Sequence, residues 1–527
     1  MFDEANVGAA AMEQRNALNQ LCARRLQGRN LIIASNRGPV EFYEEAGKPA
    51  YRRGQGGLVT AMSSFVEVTQ TTWIAAAMTE VDARLAKQQA GRMEVEVNGH
   101  LLAVSFVTPT PTQYQRFYDE VSNSVLWFLQ HSITNPPTHP TFDQAMWEAW
   151  EHGYVAVNRL FADAIATAAH QGGKPPVFMI HDYHLYLVPG MLRQRFPDAP
   201  IQHFTHIAWP SPDAWRQLPH AIREAILANM LGSDVVGFHC QRYAVNFLRT
   251  CEELLGADVD WDNHTVRVGE RCVRVRDYPI SIDPGQLLEL AATPAVHELE
   301  ATFMAHRPPR LILQVARTDP SKNILRSFHA YEHFLSLYPQ YLGEVQFLGL
   351  LPASRQTTEL YKEYFDELCQ VARRINEDYA RPGWKPIELF FENDYHRAIA
   401  AMKQYDLLVV NSIADGMNLV AKEGPIVNER AGVLLLSEGA GAVDELGDAA
   451  IVVNPFDLVG MAHAFHEALD MPLAERQRAL ASQRATIGGN TIFRWAHDQI
   501  ADLVEAAPRP GTISIFPAVE GRREVTG

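Results

Sequence analysis

Short runs of β-branched and aliphatic residues recur along this chain with helical stretches between them, and no other feature restricts its fold as strongly. In the first half the runs fall at residues 31–34, 176–180, 201–205 and 234–238, separated by helical patterns such as 147–169 and 215–231. In the second half they fall at 310–316, 345–351, 388–391, 406–411, 433–436 and 450–453, again with helices between. A strand that is reached through a helix pairs parallel to the one before it, and a parallel sheet is covered on both faces. The expected class is therefore α/β, two doubly wound domains with parallel sheets facing a central cleft. Between the two series, Tyr278-Pro279-Ile280-Ser281-Ile282-Asp283-Pro284-Gly285 holds two prolines and a glycine and reads as the linker.

Composition narrows the range of partners. At 527 residues the chain exceeds what one core organises. Its net charge of −16 argues against nucleic acid or an anionic membrane surface, while leaving room for a local cationic cluster that takes an anionic small molecule. The five cysteines are odd in number and lack metal-ligand spacing, which points to reduced thiols and a cytoplasmic location. The expectation includes no signal-type N-terminus and no apolar run of membrane length.

In doubly wound sheets ligands lie beyond the carboxyl ends of the strands, and the informative side chains fall there. Arg37, Asp182 and His206 each follow a strand of the first series. Gly54-Gln55-Gly56-Gly57-Leu58 is a glycine-rich loop that opens a helix; glycines let backbone N–H groups approach a phosphate, but a plain turn explains them equally well. Arg317 and Lys322, at the end of the second series' first strand, suit a diphosphate, the Arg by its planar fork and the Lys as a point charge. The stretch Asp415-Gly416-Met417-Asn418-Leu419-Val420-Ala421-Lys422-Glu423 reads as a strand-to-helix turn with a carboxylate at each end. Its helix start would offer the backbone N–H groups of 418–421 to an anion. Along a helix the two carboxylates would stand roughly 12 Å apart, beyond the ~5 to 9.5 Å of a pair sharing one glycosidic bond and suited to the two ends of an elongated ligand. Asp258-Val259-Asp260 carries the Asp-x-Asp pattern of metal-held diphosphates without a strand leading into it, and no His-x-x-x-His pair has a third ligand nearby. No metal is expected.

Together these residues resemble the trehalose-6-phosphate synthase family of glycosyltransferases. The resemblance is carried by Arg317 with Lys322, the whole of 415–423, His181-Asp182-Tyr183-His184-Leu185, Tyr118 with Ser122-Asn123-Ser124-Val125-Leu126-Trp127, and Asn454-Pro455-Phe456-Asp457, and it runs from about residue 31 to 504. It implies the GT-B fold of two Rossmann-like domains. An acceptor-binding domain would span residues 1–280 with a helical prelude over 1–28, and a nucleotide-sugar-binding domain 281–485. A helix over 486–507 would cross back to the first domain, ahead of a mobile tail over 508–527. The implied reaction moves glucose from a nucleoside diphosphate glucose to glucose 6-phosphate with retention, giving α,α-trehalose 6-phosphate. No cofactor is implied beyond the nucleotide sugar as co-substrate, and no metal. The partners are small-molecule substrates, with neither nucleic acid nor membrane, and a homo-oligomer is left open.

The resemblance also assigns roles by position. Arg37, Tyr118, Trp127 and Arg355 match the set that binds the acceptor's phosphate and sugar. Gly57 matches the loop beside the donor phosphates, and Arg317 with Lys322 the pair on the diphosphate. Asp182 and His206 match residues lining the transferred sugar; with Arg317 and Lys322 they form the catalytic set. Asp415 matches the carboxylate on the sugar hydroxyls, Asn418, Leu419 and Val420 the backbone contact to diphosphate and sugar, and Glu423 the carboxylate on the ribose.

Several positions depart from the family pattern. Ala76 stands where better-known members have a tryptophan near the acceptor sugar, and Pro320 and Asn323 replace an aromatic residue and a glycine around Lys322. The segments 206–211 and 424–430 look more like related pseudo-glycosyltransferases that join an activated cyclitol to an aminocyclitol phosphate, whereas Met417, Val420, Ala421 and Lys422 follow the trehalose pattern. The alternatives are thus another phosphorylated acceptor, an aminocyclitol phosphate or glycerol phosphate, a non-catalytic sugar-phosphate-binding regulator, or a sugar-nucleotide epimerase. The nucleotide base is UDP by resemblance, with GDP and ADP open.

Overall fold

The computed structural model describes residues 4–45, 48–53, 71–88, 92–97, 100–305, 307–355, 359–379 and 381–506. The chain divides into a C-terminal unit, comprising Met1–Leu18, His131–Ile133 and Pro279–Trp495, and an N-terminal unit, comprising Asn19–Gln130, Thr134–Tyr278 and Ala496–Gly527. The division after Tyr278 falls inside the proline-rich linker segment. Residues up to Leu18 go with the C-terminal unit rather than with the N-terminal domain to which the sequence assigns them. The reason is Gln14: its side chain donates to the Gly488 carbonyl at 3.2 Å and accepts from the Thr491 N–H and hydroxyl at 3.1 and 2.7 Å.

The N-terminal unit holds strands β1 (Asn30–Ala34), β2 (Val40–Glu45), β3 (Lys48–Arg53), β4 (Thr71–Ala76), β5 (Met93–Val97), β6 (His100–Val107), β7 (Pro176–His181), β8 (Ile201–Phe204), β9 (Val235–Phe238), β10 (Asp258–Asp260), β11 (Thr265–Val268) and β12 (Arg271–Asp277). Apart from the β2–β3 hairpin they form one sheet, ordered β10-β11-β12-β9-β8-β7-β1-β4-β6-β5. The strands from β12 to β6 pair parallel, and β5, β10 and β11 are antiparallel edges. The strand order reverses between β1 and β7, which is the ligand position of a doubly wound sheet.

The C-terminal unit holds β13 (Arg310–Val315), β14 (Val345–Leu350), β15 (Ile387–Phe390), β16 (Leu407–Val410), β17 (Val433–Ser437) and β18 (Ile451–Val453), all parallel in the order β15-β14-β13-β16-β17-β18. This is Rossmann order, with its reversal between β13 and β16. Leu407 and Val409 point into a buried cluster with Phe328 and Tyr331 of the helix Ile324–Leu337 and Phe465 of the helix Leu458–Asp470. Truncating such a side chain to Ala costs about 2–5 kcal/mol. Leu408 points to the opposite face, where a Cβ on Gly424 would meet its Cδ2 at 2.4 Å. Glycine therefore lets the helix Val420–Val427 lie close against β16.

Two helical patterns differ from expectation. The 147–169 pattern resolves into a helix Gln144–Ala149, a π-helix Trp150–Val155 and a helix Ala156–Gln171. A second π-helix, Arg116–Leu126, crosses it so closely that a Cβ on Gly153 would lie 2.5 Å from the Arg116 Cβ and 2.8 Å from the Phe117 nitrogen. A 3.6-residue periodicity does not reveal such widened turns. The 215–231 pattern breaks at Pro219, leaving Pro212–Trp215 and His220–Met230 as separate helices. The Asp-x-Asp segment is itself the edge strand β10, where Asp260 caps a turn by accepting from the Asn263 N–H at 3.0 Å. Among the described residues no helix is long and apolar enough to cross a membrane, and no group of three or more His, Cys, Asp or Glu is placed to hold a metal ion.

Candidate active site

In the C-terminal unit the expected donor groups lie at the β13/β16 reversal. After β13, Asp319 starts a single turn, Pro320–Lys322, and accepts from the Ser321 N–H at 3.0 Å and hydroxyl at 2.7 Å. That turn points Lys322 at Asp415, whose Oδ2 takes the Lys322 ammonium, the Ser412 hydroxyl at 3.1 Å and the Asn418 amide at 3.0 Å. Burial alone would raise the Asp415 pKa. The Lys322 charge and hydrogen bond, with His131 and Asn418, outweigh it, and the carboxyl titrates below its ordinary range. Asn418 sits at φ +85°, a left-handed conformation that is costly without glycine and concentrates at functional sites. No side-chain hydrogen bond caps the helix Val420–Val427 that follows. Glu423, in that first turn, accepts from the Tyr395 hydroxyl at 3.0 Å, and burial raises its pKa against the lowering effect of that bond. Arg317 is exposed at the start of the loop that follows β13.

Arg355, matched to the acceptor set, is placed in this C-terminal unit. It follows β14, has φ +45°, and its guanidinium donates to Asp319 Oδ2 at 2.9 Å with the Tyr361 ring 5.4 Å away.

In the N-terminal unit the other candidates gather at the β1/β7 reversal. Arg37 lies beside the Tyr118 hydroxyl; burial would lower its pKa, but Tyr118, Tyr114 and Glu41 raise it overall. The Tyr118 ring stacks between Tyr114, centroids 5.4 Å apart, and His184 at 5.7 Å. The π-helix Arg116–Leu126 carries Tyr118. Trp127 is buried one step on, with its ring 5.7 Å from Tyr183. Asp182, just past β7, adopts φ +76°, ψ +166°, a region essentially confined to glycine. It is held by its N–H on the Phe204 carbonyl at 2.7 Å and by its Oδ1, which accepts the His206 N–H at 3.2 Å. His206 Nε2 meets His181 Nδ1 at 3.0 Å. Ala76 is fully buried at the end of β4, its N–H on the Asn36 carbonyl at 3.0 Å. Gly57 lies outside the described residues.

The family model of glycosyltransferase family 20 matches residues 29–505. The chain belongs to glycosyltransferase family 20. It is a glycosyltransferase of the trehalose-phosphate synthase type, α/β in class with the GT-B fold. It is 33% identical over 485 residues to an α,α-trehalose-phosphate synthase [UDP-forming] 2 of Aspergillus niger, covering 90% of this chain and 96% of that one. It is 31% identical over 509 residues to a validamine 7-phosphate valienyltransferase of Streptomyces hygroscopicus subsp. jinggangensis, covering 95% and 100%. A solved structure of "Trehalose-6-phosphate from E. coli bound with UDP-2-fluoro glucose" superposes with a TM-score of 0.78 at 28% identity, covering 91% of this chain and 100% of that one.

The candidate site includes residues that the sequence motifs did not single out. Asp319 is the foremost; its signal was an Asp before Pro-Ser, a side chain able to cap the turn it begins. Tyr114, which stacks on the Tyr118 ring, carried no signal beyond being aromatic near the motif, whereas His184 lay inside the 181–185 motif without a role of its own. His181, His203, His206 and His239 form a cluster at the ends of β7, β8 and β9. Burial, helped by the neighbouring imidazoles, pushes the His181 and His203 pKa values down to about 3 and lowers His206 well below its ordinary value.

Unfolded histidine titrates near 6.5, so below that pH the unfolded chain binds protons the native chain refuses. The stability these neutral rings contribute is complete above about pH 6.5 and lost as pH falls, at about 1.4 kcal/mol per pH unit for each. Urea unfolding at pH 7 and pH 5 should show this loss, and His203→Gln should reduce the slope by one histidine's share. An unchanged slope would mean His203 is protonated in the native protein.

Proposed function

We propose that this chain is a retaining glucosyltransferase that carries glucose from a nucleoside diphosphate glucose, UDP-glucose by default, to glucose 6-phosphate, forming α,α-trehalose 6-phosphate. The observation that carries the reading is the grouping of Lys322, Asp415 and an uncapped helix start at one strand-order reversal, with Arg317 on the same loop. As the bond between the sugar C1 and the diphosphate breaks, its electron pair stays on the phosphate oxygen. Arg317, Lys322 and the helix start stabilise that charge without proton transfer. The acceptor hydroxyl bonds to C1 on the face the phosphate leaves, and its proton passes to the departing phosphate oxygen. The α configuration is thereby kept with no carboxylate nucleophile and no metal. Asp415 takes sugar hydroxyls, Glu423 the ribose, and Asp182 and His206 line the transferred sugar. Arg37, Tyr118, Trp127 and Arg355 take the phosphorylated acceptor. All five cysteines are free thiols, which agrees with a cytoplasmic enzyme.

A second reading has its own support. Ala76 stands where the family pattern has a tryptophan near the acceptor sugar, and a valienyltransferase acting on validamine 7-phosphate is about as similar to this chain as the trehalose-phosphate synthases. An aminocyclitol phosphate is therefore the rival acceptor. A turnover screen of UDP-, GDP- and ADP-glucose against glucose 6-phosphate, glycerol 3-phosphate and aminocyclitol phosphates separates the two. The highest kcat/KM is expected for UDP-glucose with glucose 6-phosphate; preference for the aminocyclitol phosphate would replace the first reading by the second.

A further inference from the structure

Asp319 is fully buried and surrounded by groups from three segments of the C-terminal unit. Its Oδ1 accepts the Ser321 N–H and hydroxyl, which fixes the turn that presents Lys322. Its Oδ2 accepts from Arg355 at 2.9 Å and from the Tyr361 hydroxyl at 3.1 Å. The two loops are also tied by backbone: the Thr318 N–H donates to the Pro352 carbonyl at 2.9 Å, and the Ser354 N–H to the Thr318 hydroxyl at 3.1 Å. Arg355 is in the left-handed region at φ +45°, a conformation a long side chain keeps only where its surroundings enforce it. Burying a carboxylate is costly unless a paired cation and hydrogen bonds compensate it. Here burial opposes the charge, but Arg355, Arg317, His131 and Ser321 win, and the Asp319 pKa falls to about 2.

We propose that Asp319 is a positioning residue that holds two phosphate-binding arms in one mutual geometry, the Arg317–Lys322 turn on one oxygen and Arg355 on the other. The proposal rests on the reading that the turn serves the donor diphosphate and Arg355 the acceptor phosphate. A carboxylate used only for packing would need neither the split of partners between its two oxygens nor the strained Arg355. With this division, donor binding depends on Oδ1 and acceptor binding on the charge at Oδ2.

The test uses Asp319→Asn and Asp319→Ala in the full chain, with thermal melting to verify folding. UDP affinity is measured by calorimetry, and acceptor KM and kcat with whichever phosphorylated acceptor the screen selects, so that a wrong acceptor assignment does not decide the matter. Asp319→Asn keeps an oxygen for Ser321 and removes the charge that holds Arg355. UDP affinity should stay within about 3-fold of wild type, while acceptor KM rises about 10-fold or more and kcat falls. Adding Asp319→Asn to Arg355→Ala should cost little beyond Arg355→Ala alone, as for residues acting as one unit. Asp319→Ala, where it folds, should lose UDP affinity as well; where it does not, the Asn variant carries the test. A folded Asp319→Asn enzyme with acceptor KM within 2-fold of wild type, or with an effect that adds fully to Arg355→Ala, overturns the proposal.

Discussion

Lys322→Ala is expected to lower kcat by about 10²- to 10³-fold, the loss typical of removing one preorganised group from a developing oxyanion. The variant also leaves the buried Asp415 carboxylate without its cation, and breaking a buried pair from one side costs about 3–5 kcal/mol of stability. The two effects are separable. Pairing Lys322→Ala with Asp415→Asn leaves neither charge alone, so the double variant should recover part of the lost melting temperature while its single-turnover rate stays low. A double variant less stable than either single one would show that Lys322 and Asp415 do not compensate one another, and near-normal turnover in Lys322→Ala would remove the lysine from the leaving-group chemistry.

The second large effect is expected at Asp415 itself. Three donors converge on its Oδ2, from Lys322, Ser412 and Asn418. In Asp415→Asn the amide oxygen can take the Oδ2 place, but it is neutral and holds Lys322 and Asn418 more weakly than a carboxylate does. Release of Asn418 would let a residue held at φ +85° relax, and with it the start of the helix Val420–Val427. The expected result is a kcat loss of about 10²-fold or more together with weaker UDP binding, because in the proposed reading the sugar and phosphate contacts share this one turn. The pH behaviour follows from the depressed pKa of Asp415. Its contribution to stability is complete above the unfolded value near 3.9 and is lost only as pH falls through the lower folded value. Asp415 should therefore impose no acid limb on activity above about pH 5. Loss of kcat without any change in UDP affinity would mean that Asp415 acts on the sugar alone.

The parts of this site that were legible in the sequence are those that backbone order dictates. Alternating strands and helices imply a doubly wound sheet, and its reversal points bring Arg317 and Lys322 to the stretch 415–423, and Arg37 to Asp182. The carboxylate of Asp415 and the cation of Lys322 were legible separately as donor groups; their direct pairing was not, because nothing in a linear pattern measures distance between two loops. The same limit hid Asp319, whose importance lies in joining a loop after β13 to one after β14. The π-helices escaped because one extra residue per turn barely alters an apolar stripe. Gly424, noted as a departure from the family pattern, has a packing explanation in the close approach to Leu408.

Proton NMR of the product formed from UDP-glucose and glucose 6-phosphate tests the central claim most directly. The expected spectrum shows two α-configured anomeric protons and a retained phosphate, the signature of α,α-trehalose 6-phosphate. No transfer to glucose 6-phosphate, or a β-configured linkage, would contradict it.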